Sequence, residues 1–242
     1  MIEKNINIGS ITVRMRKSHR ARNIIISVKP YEGVVVTVPQ RVSYLEGERV
    51  AREKIEWIKQ HLEKMRNIEK EFPKYDENSE FGTRSHKLKI SQHNGQTISV
   101  RVVNGIISVK YPAAKNVHSF EVQKAIRKGI ASALRKEAKD YLPKRLDELS
   151  QKYELPFNKV FIKNLKSRWG SCSYKNNINL NMQLMQLPDH IIDYVILHEL
   201  AHTIVRNHSK KYWSYLDKLV SNAKVLDKEL RNYSIALSKN IK

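Results

Sequence analysis

The chain has 242 residues, with 45 Lys+Arg against 24 Asp+Glu, a formal charge of +21 and 40% hydrophobic residues. That composition supports a folded core and excludes extended disorder and fibrous classes. A single cysteine, Cys172, excludes a disulfide framework and a four-thiolate zinc knuckle. The opening Met1-Ile-Glu-Lys-Asn lacks the apolar stretch of a signal peptide, and no run approaches 18 apolar residues. A cytoplasmic protein with no membrane partner is expected.

The β-branched runs Ile24–Val28 and Val34–Val38 predict a hairpin. Ser43-Tyr-Leu-Glu46 is a capping box that opens one long helix, with Leu45, Val50, Ile55, Ile58, Leu62 and Met65 along its apolar face. Asn94-Gly95 and Asn104-Gly105 are hairpin turns that divide residues 86–111 into an antiparallel meander. A second helix covers residues 118–153, with a bend or break expected at Pro143. Strands follow at 158–165 and 177–185, then a helix from an Asp189 N-cap through about Arg206. The order strands–helix occurs twice at a coarse level. The expected fold class is α+β, with a β-rich N-terminal region with one long helix at 1–115 and a catalytic region at 116–242.

The positive charge is spread along the chain, and its densest run is Arg14-Met-Arg-Lys-Ser-His-Arg-Ala-Arg22. Arg14, Arg16, Lys17, Arg20 and Arg22 are candidate nucleic-acid contacts on phosphate. The alternative is a solvated edge strand protected from aggregation by its charges.

The most specific pattern is His198-Glu-Leu-Ala-His202 followed by His208. Residues i and i+4 share a helix face, so both imidazoles can reach one ion. His208 supplies a third ligand, and a catalytic zinc keeps one position for water. Glu199 is placed to act as general base on that water. The expected cofactor is Zn2+, one per chain, or another divalent transition metal. The spacing from His202 to His208 requires the chain to turn back, with Asn207 expected in a left-handed conformation and Ser209 capping the next helix. The remaining histidines are expected at the surface. Cys172 is expected to be structural, because three histidines already fill the protein positions.

Upstream stand Arg168-Trp-Gly-Ser-Cys-Ser173 and Ile178-Asn-Leu-Asn181; downstream, Asn207-His-Ser-Lys-Lys-Tyr-Trp213. Together with Asp193-Tyr-Val-Ile-Leu-His-Glu-Leu-Ala-His202, these resemble the YgjP-like family of metal-dependent hydrolases, related to the WLM and SprT-like zinc peptidases. The resemblance implies a minimal zincin-like core, in which the edge strand of a small sheet lies above the active-site helix. It also implies His198, His202 and His208 as metal ligands and Glu199 as the catalytic glutamate. Tyr212 stands where the family commonly has Phe, and Ser221-Asn-Ala-Lys224 lacks the Pro usual beyond that helix.

Arg168 reads either as a cation stabilising an oxyanion or phosphate or as the structural partner of a C-terminal carboxylate. Asn181, like Asn179, is expected on the presumed edge strand, lining the cleft or facing solvent. With Tyr212 these are candidate substrate or transition-state contacts. The leading function is a zinc-dependent metallopeptidase acting on a peptide or protein. The alternatives are a metal-dependent nucleotide phosphohydrolase, favoured by the positive field, and a DNA-associated SprT-like protease or nucleic-acid-binding protein with non-specific DNA association.

Overall fold

The computed structural model describes residues 3–29, 33–70, 73–165 and 167–238. The chain divides into two compact units, residues 1–73 and 74–241.

In the first unit, β1 (Glu3–Ile8), β2 (Ile11–Ser18), β3 (Ile25–Lys29) and β4 (Gly33–Pro39) form a sheet of order β1-β2-β4-β3. β2 runs parallel to β4, and β3 antiparallel to it. Alternation sends Val13, Met15, Val34, Val36 and Val38 to one face, where they pack with Ala51 and Ile58 of the following helices. Those helices are α1 (Tyr44–Glu53) and α2 (Ile55–Lys70), so the single helix expected here is interrupted at Lys54. The Ser43 cap forms as expected, its hydroxyl accepting from Glu46 N at 3.1 Å. Leu45, expected on the apolar face, is instead exposed. The turn of the predicted hairpin, residues 30–32, lies outside the described residues.

The second unit opens with β5 (Lys87–His93), β6 (Ser99–Val103) and β7 (Ile106–Pro112), then α3 (Phe120–Lys152). The sheet order is β5-β7-β6, with β5 parallel to β7. This corrects the expected meander. Asn104 and Gly105 (φ 50° and 72°) do make the tight β6–β7 hairpin, but the chain after Asn94-Gly95 crosses to the far side of β7. Pro143 does not break α3. Leu134, Ala138, Leu142 and Leu146 are fully buried on either side of it. Their packing outweighs the roughly 3 kcal/mol that an interior proline costs. The boundary expected near residue 115 falls inside this unit, because α3 packs back on the preceding strands: a Cβ on Gly129 would lie 2.8 Å from Ile107 and 3.1 Å from Val100.

The unit continues with β8 (Lys159–Lys163), β9 (Gly170–Cys172) and β10 (Asn177–Asn181), a 3-10 turn at Met182–Gln186, then α4 (Asp189–Ala201), α5 (Lys210–Leu219) and α6 (Ala223–Ser238). The order is β8-β10-β9, again with the first strand parallel and the second antiparallel to the third. The edge strand beside α4 is therefore the three-residue β9, and the strand bearing Asn179 and Asn181 is central.

The same strand–strand–strand–helix arrangement thus occurs three times, as β2-β3-β4-α1, β5-β6-β7-α3 and β8-β9-β10-α4. In the first two, a helix glycine allows close approach to the sheet: a Cβ on Gly47 would meet Met15 at 2.6 Å, and Gly129 behaves alike. In the third the glycine has moved to the strand. Gly170 of β9 faces Glu199 of α4, so here the helix carries a carboxyl side chain at the close approach and the strand carries none. The fold is mixed α+β.

Candidate active site

α4 is apolar on nearly every side: Ile191, Ile192, Val195, Ile196, Leu197, Leu200 and Ala201 are all buried in the main core. Such a helix is a rigid mount for the polar residues it carries. His198 and His202 lie one turn apart at its C-terminal end. The helix stops at Ala201, with His202 as its C-cap, five residues before the expected end at Arg206. The β-branched run Thr203-Ile204-Val205 is a poor helix continuation, and Thr203 Oγ1 turns back to donate to Leu200 O at 2.8 Å. Pro188, not Asp189, is the N-cap; Asp189 begins the helix and pairs with Arg84. Asn207 is absent from the residues with positive φ, so the chain returns to His208 without the expected left-handed residue. Ser209 occupies the N-cap of α5 as expected, without a side-chain cap bond.

The turn brings three imidazoles together. His208 Nε2 lies 3.2 Å from both His202 Nε2 and His198 Nε2, and one ligand atom from each ring falls within 4.8 Å of the others. His202 Nδ1 donates to the carbonyl of Val205 at 3.0 Å, which leaves its Nε2 an acceptor only. Burial, then the neighbouring His202 and His208, push His198 down to about 3, and burial likewise lowers His202. Neutral rings with nitrogen lone pairs turned toward one point repel one another unless a cation lies between them. Nitrogens about 2.0–2.1 Å from a tetrahedral ion stand about 3.3–3.4 Å apart, close to the distances found. The donor set fits a divalent metal of the zinc type, which His198, His202 and His208 would hold. Cys172 is outside the group, and burial raises its thiol.

Glu199, 6% exposed, faces β9. Burial pushes its carboxyl up to about 8, partly opposed by the positive charge of Arg168. Arg168 itself is exposed, just before β9. It makes no ion pair among the described residues, its charge acts on the Glu199 carboxylate, and the chain's C-terminal carboxylate lies outside the described residues.

Two of the sequence candidates take a different place. Tyr212 is fully buried beneath the histidines. Its ring stacks on His202 (4.5 Å, 19°) and its hydroxyl donates to the carbonyl of His198 at 3.0 Å. It is a floor for the imidazoles rather than a group facing substrate. Asn181 is also buried. Its Nδ2 donates to Leu165 O at 2.8 Å and Arg168 O at 2.9 Å, and its Oδ1 accepts from Gln183 N. It braces the loop that carries Arg168.

The run Arg14–Arg22 does not form one cationic stripe. β2 is an interior strand, which removes the edge-strand reading. Lys17 turns to the helix side, where its ammonium donates to the carbonyls of Pro39 and Val42 and lies over the Tyr44 ring. Arg16 Nε donates to Thr37 Oγ1 at 3.1 Å on the other face, which it shares with Arg14, and Arg20 and Arg22 are exposed beyond the strand. His86 is likewise not at the surface: it is buried, with Nδ1 2.7 Å from Glu137 Oε1.

Two residues at the site have roles that spacing does not reveal. Gly170 leaves room for Glu199; a glycine inside the strand of R-W-G-S-C is a readable sign of close approach. Arg206, between the second and third histidines, donates from Nη1 to Ser173 O at 2.9 Å and from Nη2 to Tyr174 O at 3.2 Å and to Asn176 Oδ1. It ties the histidine loop to the β9–β10 turn. No signal in the sequence pairs Arg206 with that turn.

The family model described as "YgjP-like, metallopeptidase domain" matches residues 22–233. The chain belongs to the YgjP-like family. It is a metal-dependent hydrolase of metallopeptidase type, and that family implies a divalent metal. No curated protein sequence matches this YgjP-like chain. Among solved structures, the metallopeptidase zymogen jannalysin of Methanocaldococcus jannaschii is similar at 22% identity and TM-score 0.34, over 39% of this chain and 96% of its own. The zymogen abylysin of Pyrococcus abyssi is similar at 22% identity and TM-score 0.36, over 42% and 99%. Wss1 of Saccharomyces cerevisiae is similar at 16% identity and TM-score 0.31, over 62% and 97%. No described helix is long and apolar enough to cross a membrane.

Proposed function

We propose that this YgjP-like protein is a zinc-dependent peptidase in which Glu199 is the general base and His198, His202 and His208 are the metal ligands. The observation that carries the reading is the convergence of three imidazole Nε2 atoms beside a buried glutamate, under the edge strand of a small sheet. When bound, the metal supplies positive charge that acidifies a water and polarises the scissile carbonyl.

The remaining steps belong to the chain. β9 is the sheet edge, so an extended peptide can pair with it as an added strand, which aligns its carbonyl groups along the cleft. Glu199, held in a low-dielectric pocket, takes the proton of the attacking water on its carboxylate and returns it to the leaving nitrogen. Burial raises the proton affinity of that carboxyl, and the positive charge of Arg168 works the other way, favouring the ionised form that accepts the proton. Val205 fixes the His202 ring through Nδ1, and the Tyr212 hydroxyl fixes the backbone of His198. Arg168 places a cation before the edge strand, where negative charge developing on the substrate can be met.

The test uses zinc-loaded protein and its Glu199→Gln variant with casein, nucleoside triphosphates and a DNA-bound protein as substrates. The expected result is cleavage of protein by the wild type, reduced about 10²–10⁴-fold in the variant, with metal retained. Triphosphate hydrolysis abolished by Glu199→Gln, with no protein cleavage, would replace this reading by the phosphohydrolase.

A further inference from the structure

The β5-β7-β6 sheet has one face against α3 and one open to solvent. Leu88, Ile90, Val100, Val102, Ile107 and Val109 turn inward to the core. Alternation then puts every second residue on the open face, and the register arranges them in rows: Lys87 beside Ile106 and Val103, Lys89 beside Ser108 and Arg101, and Ser91 beside Lys110 and Ser99. Lys87, Lys89, Arg101 and Lys110 are all exposed. None of the four makes an ion pair among the described residues. No acid lies in any of these rows.

An open sheet face normally mixes signs, because opposite charges across strands stabilise the pair and like charges destabilise it. Four unpaired cations on three adjacent strands repel one another, and a bound polyanion would remove that repulsion. The first-unit sheet is a weaker candidate: Arg16 has Glu3 directly opposite. We infer that the open face of the β5-β7-β6 sheet is a docking surface for the phosphate backbone of nucleic acid, with Lys87, Lys89, Arg101 and Lys110 meeting phosphates and Ser91, Ser99 and Ser108 as hydroxyl donors. Neighbouring strands about 4.8 Å apart and same-face residues about 6.6–6.8 Å apart make a cationic grid rather than a single point charge. No aromatic ring stands in these rows and no helix projects from them, so binding is independent of base sequence. An anionic membrane is a poorer occupant. The apolar part is one aliphatic pair, Val103 and Ile106, without the Trp or Tyr that anchors at lipid interfaces.

The experiment compares the wild type with two full-length variants of equal charge loss. One carries Lys87→Gln, Lys89→Gln, Arg101→Gln and Lys110→Gln. The control carries Lys128→Gln, Arg135→Gln, Lys136→Gln and Lys139→Gln on the exposed side of α3. Binding of a fluorescein-labelled DNA duplex of arbitrary sequence is followed by anisotropy across a salt series, with circular dichroism to verify folding. The sheet variant is expected to bind more than about tenfold more weakly at low salt. Its log–log salt slope should be reduced by about 0.9 for each phosphate that is no longer neutralised. The control variant should stay near wild type. Three results would overturn the inference: no binding by wild type at low salt, equal loss in both variants, or sheet-dependent binding to phosphatidylserine vesicles with none to DNA.

Discussion

Gly170 and Glu199 meet across the narrow gap between β9 and α4: a Cβ placed on Gly170 would stand 2.6 Å from both Cγ and Oε1 of Glu199. The backbone of β9 cannot yield easily, since Leu180 and Ile178 of β10 hold it in register and are themselves fully buried. The position of the carboxylate is therefore set by the lack of a side chain on the strand opposite.

Gly170→Ala is expected to push Glu199 out of its pocket. Turnover should fall about 10²–10³-fold, within the range for losing a general base, while metal content stays at the wild-type level because the three atoms nearest a Cβ at Gly170 all belong to Glu199. Overpacking of this kind costs about 1–3 kcal/mol in stability. Steady-state kinetics, elemental analysis and thermal unfolding check the three parts. Unchanged turnover in a folded variant would separate Glu199 from the chemistry.

Tyr212→Phe distinguishes a floor from a transition-state contact. The ring stays stacked on His202, and only the hydroxyl bond to the His198 carbonyl is removed. A buried hydrogen bond contributes about 0.5–1.5 kcal/mol net, so a small drop in thermal stability is expected with kcat within a few-fold of wild type. A loss of kcat near 10²-fold at unchanged metal content would restore Tyr212 as a group that meets the substrate.

Local signals in the sequence locate the chemistry better than the topology. H-E-x-x-H sits on a helix because i,i+4 spacing and an apolar surround are both local properties, and the Ser43 cap and Asn104-Gly105 hairpin are readable for the same reason. What the sequence hides depends on partners distant along the chain. Parallel pairing of β5 with β7 leaves no trace at the Asn94-Gly95 turn, which looks like any hairpin. Pro143 reads as a helix breaker because its cost is local, whereas the burial of Leu142 and Leu146 that offsets it comes from other elements. The charges of Arg14–Arg22 read as one run, yet strand alternation sends Lys17 to one face and Arg16 to the other. His86 reads as a surface residue because nothing in its neighbourhood announces Glu137, 51 residues away.

His208→Ala should separate the metal from the fold. His208 is exposed and meets the core through the aromatic rings of Tyr212 and Trp213, while α4 itself is packed by aliphatic residues. The variant is expected to fold with wild-type circular dichroism and to lose most of its zinc. Zinc in excess should raise the melting temperature of the wild type, by the usual mass-action stabilisation of a native-state ligand, and leave that of the variant nearly unchanged. Equal stabilisation of both proteins would place the ion somewhere other than the three-histidine group.

Arg206 joins the loop carrying the third histidine to the turn that follows the edge strand. Its two terminal nitrogens hold the carbonyls of Ser173 and Tyr174 and the side chain of Asn176, and Asn176 is itself in a left-handed conformation (φ 55°). Loss of the fork frees that turn, and with it the end of β9 against which an extended peptide would lie. Arg206→Ala is expected to raise KM for extended peptides by about tenfold, a cost of about 1.4 kcal/mol, just under the range for hydrogen bonds to a charged group because the guanidinium is exposed. The change in kcat should be smaller, since Glu199 is held by α4 and Gly170 rather than by the turn. Arg206→Lys should recover little, because one ammonium cannot span three acceptors. Amide hydrogen exchange at Tyr174–Asn177 should speed up in both variants. If exchange accelerates while KM stays at the wild-type value, the turn does not order the substrate strand; if metal is lost instead, the bond serves His208 alone.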